Sequence, residues 1–188
     1  SGAKITIDFG GYSYTVTKAP VGSSGTETLG FQLLEGSTVT LKNGTITSAN
    51  PNVHMLVQNY SERLALDGMT IDGSNLGLES GAYTLSNNNG YTKIHNSTII
   101  AKEGGYAFDL YYWPKNGYGQ VTVDVTGNSL IDGNIEYGGD SSTTAETIYG
   151  AANLRIKDGE IKGILNVDSK FTGSETKANI QITGGTFT

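Results

Sequence analysis

The chain has 188 residues, of which 16% are charged and 36% hydrophobic, and its formal net charge is −6 at pH 7. A protein that contacts nucleic-acid phosphates needs a cationic face, so this excess of acids argues against a nucleic-acid partner. The sequence contains no apolar run of the ~20 residues that a membrane span requires, and it has no cysteine for disulfides or thiol chemistry.

Glycine argues against helices along most of the chain. The sequence contains 27 glycines that recur every few residues. Each glycine inside a helix costs about 1 kcal/mol relative to alanine. The longest glycine-free window is 45–67, where an apolar stripe at helical spacing leaves one short helix possible. Elsewhere, short β-branched and aromatic runs between Gly and Asn predict strands and turns.

From the first strand onward, the sequence repeats one template: two apolar residues at alternate positions and a third apolar residue five positions later. In chain order, with Thr92 as the only polar exception, the copies are Ile5/Ile7/Tyr12, Val39/Leu41/Ile46, Leu64/Leu66/Ile71, Thr92/Ile94/Ile99, Val123/Val125/Leu130, Leu154/Ile156/Ile161 and Ile180/Ile182/Phe187. Residues at alternate positions share one face of a strand, so the odd step to the third residue requires a bend. Every bend contains Gly or Asn, which adopt positive φ at little cost.

A strand, a sharp corner and a second strand, repeated about every 29 residues, predict an all-β, single-stranded parallel β-helix, a solenoid of about seven coils. An antiparallel β-sandwich, which also has many short strands and polar turns, is the alternative. A sandwich does not require the same corner in every copy, so it leaves the repeated corner unexplained. The β-helix predicts an inward column that contains Leu41, Leu66, Ile94, Val125, Ile156 and Ile182. We expect residues 1–188 to form one domain that is a fragment of a larger protein, because a coil that ended here would leave an unpaired edge.

Irregular coil lengths joined by one constant corner resemble the right-handed, pectate-lyase-like β-helix family. Asn43 and Asn96, with Asp158 as a variant, look like the asparagine ladder of that family. The phrases Leu41-Lys-Asn-Gly-Thr-Ile46 and Ile182-Thr-Gly-Gly-Thr-Phe187 resemble adhesin-like surface proteins of gut bacteria and phage appendage proteins. The resemblance implies surface display and binding, outside the cell or on a phage particle, and it transfers no functional residue.

Catalytic and metal sites are not indicated by the sequence. Pectin hydrolases of this fold resemble one another in four motifs, of which only Arg155-Ile156-Lys157 is present, and strand alternation explains that tripeptide. The two arginines are expected about three coils apart, and His54 and His95 lie in different coils without a third ligand. The candidate carboxylates are scattered over two coils: Asp109, Asp124, Asp132, Glu136 and Asp140.

These patterns predict no catalytic residue, no metal and no cofactor. The predicted function is the one that the resemblance implies, structural display combined with carbohydrate or host-surface binding. A fragment or degenerate relative of a polysaccharide lyase or glycoside hydrolase is the alternative, because many pectate-lyase-like proteins cleave polysaccharides.

One aromatic segment, residues 106–118, breaks the strand pattern and contains the only tryptophan. Pro114 and two nearby glycines exclude a regular strand after Tyr112, so this stretch predicts a loop that protrudes between two coils. Exposed rings stack on sugar faces or anchor protein interfaces, whereas the alternative is that these rings cap the core of a long coil. The candidate ligand-binding residues are Tyr111, Tyr112, Trp113, Lys115, Asn116 and Tyr118. The expected partner is a glycan or another cell-surface ligand.

Overall fold

A computed structural model describes residues 2–17, 21–22, 27–77, 82–115, 117–173 and 178–188. Within these ranges the strands are β1 (Lys4–Asp8), β2 (Ser13–Val16), β3 (Leu29–Leu33), β4 (Thr38–Ser48), β5 (Met55–Asn59), β6 (Arg63–Asp72), β7 (Tyr83–Asn87), β8 (Gly90–His95), β9 (Thr98–Ile100), β10 (Tyr106–Tyr112), β11 (Val121–Thr126), β12 (Leu130–Asp132), β13 (Asn134–Gly139), β14 (Ala152–Ile156), β15 (Glu160–Lys162), β16 (Leu165–Val167), β17 (Ile180–Ile182) and β18 (Thr186–Phe187). Helix α1 (Ala145–Ala151) lies between β13 and β14, and a 3₁₀ turn spans Ser169–Phe171.

The strands form two sheets that the chain visits in turn. The first sheet has 12 strands and contains all seven template copies, whereas the second has six strands: β3, β5, β7, β10, β13 and β16. Every pairing between these strands is parallel and joins successive coils. An isolated antiparallel bridge joins Val21 to Leu29. The predicted all-β parallel β-helix is therefore confirmed.

The solenoid completes about six turns rather than the seven coils expected. Each complete turn contributes one strand to the second sheet, which has six. Within the described ranges, the seventh template copy, β17 with β18, has no second-sheet strand after it. The seven copies therefore correspond to seven levels of the first sheet but to only six closed turns.

The predicted inward column is confirmed by strand register. It passes, from coil to coil, through Leu41, Leu66, Ile94, Val125, Ile156 and Ile182. The five residues with a coil on both sides are at most 1% exposed, whereas Ile182 in the last coil is 50% exposed. Full burial of one such side chain contributes about 1.5–3 kcal/mol, so the column is a principal source of stability.

Two corners are longer than the template allows. In the first copy, Tyr14 rather than Tyr12 pairs with the third column, because two consecutive glycines with positive φ lengthen the corner. In the fifth copy, Ile131 rather than Leu130 pairs with Ile99, because one extra residue follows the strand. The predicted positions of Tyr12 and Leu130 are therefore wrong, although the columns themselves continue.

Asparagine is important at the corner, but it does not form the expected ladder there. Asn43 and Asn96 have φ of 57° and 48°, a left-handed conformation that asparagine tolerates, and Gly68 occupies the corner of the coil between them. The Asn43 amide donates to Oδ1 of Asp8 at 3.2 Å, and Oδ1 of Asn96 accepts the backbone N–H of Asn128 at 3.0 Å. Each corner asparagine therefore binds a neighbouring coil through a carboxylate or a backbone N–H rather than through another asparagine side chain.

Two asparagines do stack inside the solenoid, at the end of the second-sheet strands. Asn59 and Asn87 are register partners, and the Asn59 amide donates to Oδ1 of Asn87 at 3.1 Å. The Thr92 hydroxyl accepts from Asn59 at 2.8 Å and donates to Asn87 at 2.9 Å. All three residues are fully buried, and their bonds satisfy polar groups that would otherwise destabilise the core. This network explains why the fourth copy carries threonine instead of an apolar residue.

The α-helix of the described residues lies outside the window in which the sequence left a helix possible. That window, residues 45–67, contains β5 and the start of β6. Helix α1 follows Thr144, which forms a reciprocal capping box with Thr147, and its Ile148 joins the core. No described helix is both long and apolar enough to cross a membrane.

Candidate functional site

The outer face of the second sheet carries a polar row that runs along the solenoid axis. Register aligns Gln58 of β5 with Ser86 of β7, Ser86 with Asp109 of β10, and Asp109 with Glu136 of β13. The residues on either side of this row along each strand point inward, because side chains alternate between the two faces. A line of hydrogen-bonding groups therefore lies on this face, one per coil, and its two central members, Ser86 and Asp109, are themselves buried.

Two stacked aromatic pairs flank the polar row. Tyr83 and Tyr106 are register partners on β7 and β10, and their rings stack with centroids 4.9 Å apart and planes 13° apart. On the other side, Tyr118 of the loop after β10 folds back onto Tyr60, with centroids 5.0 Å apart and planes 10° apart. The strand spacing of about 4.8 Å explains the first stack. The loop supplies the second stack.

Part of the row and one ring of each stacked pair, Tyr83 and Tyr60, line a groove on the second sheet with a volume of about 310 Å³. Its lining residues are Met55, Gln58, Tyr60, Tyr83, Ser86, Asn88, Asp109, Tyr111 and Trp113. The volume lies at the lower end of the range for small-ligand sites, about 300–1,000 Å³. Aromatic walls with a few polar groups on the floor are the usual composition of such sites.

The structure places some of the predicted binding residues in this groove and others beside it. Tyr111 and Trp113 line the groove, with ring centroids 6.4 Å apart. The Lys115 ammonium lies 5.0 Å from the centroid of the Trp113 ring, outside the groove lining. Tyr112 packs against the hydrophobic core. Asn116 lies outside the described residues.

Trp113 is half-buried, so it belongs neither to the core nor to a freely exposed loop tip. The aromatic segment therefore has two parts. Phe108 and Leu110 are fully buried in the core, whereas Trp113 lines the groove.

Tyr60, Tyr83 and the alignment of the polar row were not predicted from the sequence, although Asp109 and Glu136 were among the candidate carboxylates. All of these residues lie in or next to second-sheet strands. The repeated template covers only the first sheet, so it gives no register for them.

Asp109 is buried on the floor of the groove, at 3% exposed, as is its row neighbour Ser86 at 1%. Its carboxyl accepts the Ser86 hydroxyl at 3.0 Å and the Asn87 backbone N–H at 2.5 Å. Burial raises the pKa of Asp109 to about 8, and the nearby Glu136 charge adds to this shift, while the two hydrogen bonds oppose it. Burial therefore disfavours the charged form of the carboxyl on the floor of the groove.

Glu136 lies next to Asp109 in register and accepts the Tyr83 hydroxyl at 2.6 Å. Burial and this hydrogen bond raise the pKa of Tyr83 above its ordinary value. Two carboxyls that were expected to be scattered are thus side by side, because β10 and β13 belong to successive coils. Across the described ranges, no group of three or more His, Asp or Glu is arranged to hold a metal ion.

In comparisons with known proteins, the chain matches no family model, no curated protein and no solved structure. The parallel β-solenoid is established by the strand pairings alone. The resemblance to pectate-lyase-like, adhesin-like and phage appendage proteins stays a prediction that rests on the sequence phrases.

Proposed function

We propose that this protein is a non-catalytic β-helical module, displayed outside the cell or on a phage particle, that binds a neutral glycan in the groove on the second sheet. The observation that carries the proposal is the polar row between two stacked aromatic pairs, Tyr83 with Tyr106 and Tyr60 with Tyr118. Sugar rings present C–H faces that pack on aromatic rings and hydroxyls that hydrogen-bond to polar side chains. The groove offers both kinds of contact.

The charge state of the groove supports a neutral rather than an anionic ligand. Asp109 carries no positive charge in either of its protonation states, so the floor of the groove would not attract an anionic sugar. Glu136 remains beside it as an acid that would repel an anionic sugar. Each coil contributes one hydrogen-bonding group to the row. Such a row suits an extended sugar chain better than a single compact molecule.

A polysaccharide hydrolase is the second candidate, and the pair of neighbouring carboxyls favours it. Glycoside hydrolysis requires two carboxyls, one of which has a raised pKa and donates a proton. Asp109 has the raised pKa, but it is 3% exposed and already bonded to Ser86 and Asn87. Glu136 is engaged by Tyr83. These bonds favour binding over catalysis.

A glycan array probed with the purified chain tests the proposal, and binding to one or more uncharged oligosaccharides is the expected result. Uniform absence of binding to neutral glycans would contradict it. A parallel assay measures the release of reducing ends or unsaturated products from pectin, alginate and glycosaminoglycan, with and without Ca²⁺. Release of reducing ends without unsaturated products, abolished in both Asp109→Asn and Glu136→Gln, would establish the hydrolase instead.

A further inference from the structure

The outer face of the first sheet carries a cluster of cations that contrasts with the net charge of −6 of the chain. Its members, here called the cationic patch, are Arg63 of β6, Lys93 of β8, Arg155 of β14 and Lys157 immediately after β14. Both arginines of the protein belong to it. The patch lies on the sheet that does not form the groove.

Strand register brings these residues together although they are distant in sequence. Arg63 is the register partner of Tyr91, and Lys93 is the partner of Asp124, which in turn aligns with Arg155. The patch therefore spans four adjacent strands, or about 14 Å at the usual strand spacing of about 4.8 Å. An extended ligand could contact cations from several coils at once.

Asp124 and Tyr91 hold the patch in a fixed arrangement. The Asp124 carboxylate, 2% exposed, accepts Nε of Arg155 at 2.5 Å, Nζ of Lys157 at 2.7 Å and the Tyr91 hydroxyl at 3.1 Å. Although burial opposes it, these hydrogen bonds and the Arg155 charge hold the pKa of Asp124 below its usual value. The guanidinium carbons of Arg63 and Arg155 lie 4.8 and 5.9 Å from the Tyr91 ring centroid.

The patch contains more cationic side chains than its carboxylate, Asp124, pairs with. The Asp124 carboxylate pairs with Arg155 and Lys157, whereas neither Arg63 nor Lys93 forms an ion pair with any residue that the structure describes. The acids that flank this part of β6, Glu62 and Asp67, are exposed and form no ion pair with Arg63. Arg63 and Lys93 are thus available to an external anion.

We propose that the cationic patch binds a sulfated glycan. The oxygens of a sulfate ester radiate from one sulfur and accept bonds from donors on different strands, whereas a carboxylate accepts mainly in one plane. The Tyr91 ring carries guanidinium groups against it, so it offers no free platform for the base stacking that supports single-stranded nucleic-acid binding. The patch therefore suits sulfate groups carried on an extended sugar chain.

Binding of size-fractionated heparin to the whole chain, measured by calorimetry at physiological ionic strength, tests this assignment. Desulfated heparin, which keeps its carboxylates, and a single-stranded DNA oligonucleotide are the comparison ligands. We expect heparin to bind more tightly than both, and binding to weaken as salt is raised. Arg63→Gln and Lys93→Gln should each weaken it roughly tenfold, since charge-assisted bonds are lost.

Lys162→Gln is the matched control, because it removes one exposed cation from β15 outside the patch, and it should bind heparin like the parent. Trp113→Ala should also leave heparin binding unchanged, which separates this site from the groove. Thermal unfolding by circular dichroism checks that each variant is folded. Equal binding of desulfated heparin or of the oligonucleotide would contradict the sulfate assignment. Unchanged binding in both Arg63→Gln and Lys93→Gln would also overturn it.

Discussion

At the scale of single residues, Thr92 occupies a position that the repeat reserves for apolar side chains. Its hydroxyl bridges two buried asparagine amides that otherwise face an apolar interior. Two physical rules therefore make opposite predictions for an isosteric valine at this position. Hydrophobic burial alone predicts greater stability, whereas an unsatisfied buried amide predicts a loss.

We expect Thr92→Val to lower the free energy of unfolding by about 1–3 kcal/mol, because Asn59 and Asn87 each lose a hydrogen-bond partner. Urea denaturation measures the change. Thr122→Val, on the outward face of β11, is the matched control and should change stability by less than about 0.5 kcal/mol. A Thr92→Val variant as stable as the parent would show that the network contributes little.

Asp109 makes stability depend on pH through a residue in the groove. Its pKa of about 8 in the folded chain is higher than in the unfolded chain, so the folded state binds more protons between these values. The folded state is therefore stabilised at low pH, and this contribution falls as pH rises toward 8. The slope is at most about 1.4 kcal/mol per pH unit.

We expect Asp109→Asn to remove this slope between about pH 5 and about pH 8, because an amide does not titrate in this range. Urea denaturation of the parent and the variant at several pH values measures the difference. Asp132→Asn, which alters an exposed acid at the end of β12, should keep the slope of the parent. Parallel stability curves for the parent and Asp109→Asn would contradict the raised pKa.

At the scale of the structural element, the repeated corner depends on residues in the left-handed conformation. Gly127 has φ of 64°, and a Cβ at this position would collide with Oδ1 of Asn96 in the preceding coil. That oxygen is the acceptor for the Asn128 backbone N–H. One glycine therefore permits both the turn and the bond between two coils.

Gly127→Ala is expected to lower the free energy of unfolding by more than about 1–2 kcal/mol, since it adds left-handed strain to the collision with Asn96. Gly119→Ala is the control, because nothing lies within 4 Å of a Cβ at that position. It should leave stability within about 0.5 kcal/mol of the parent. Equal melting temperatures for the two variants would contradict this account of the corner.

The template and its columns could be predicted from the sequence because they depend on local parity, the alternation of side chains along one strand. The groove could not be predicted in the same way. Its polar row joins Gln58, Ser86 and Asp109 across coils whose connecting loops differ in length, so no fixed interval reveals their register. The Tyr60–Tyr118 stack also requires a loop to fold back onto an earlier coil.

At the scale of the whole molecule, contacts between successive coils dominate, and the two ends of the solenoid are the exceptions. Within the described residues, β1 and β2 pair only with β4, while β17 and β18 pair only with β14 and β15. Ile5 and Ile182 at these ends are 47% and 50% exposed. Unpaired edges with exposed apolar side chains favour association between molecules.

We expect the purified chain to self-associate as its concentration is raised, and Ile182→Lys to reduce that association by placing a charge on the last edge. Light scattering after size exclusion measures the mass. Ile182 is half exposed, so the variant should remain folded, which circular dichroism checks. A strictly monomeric parent at every concentration would contradict the expectation.

The central claim, that the groove on the second sheet binds a neutral glycan, is tested most directly by calorimetric titration of the best uncharged array ligand into the parent and Trp113→Ala. Loss of one stacking ring at a binding site costs about 1–3 kcal/mol, so affinity should fall about 5- to 150-fold while the melting temperature changes little. Tyr12→Ala, which removes a 78% exposed ring on the first sheet, should bind like the parent. Parent-like affinity in Trp113→Ala, or a lowered melting temperature without a change in affinity, would contradict the claim.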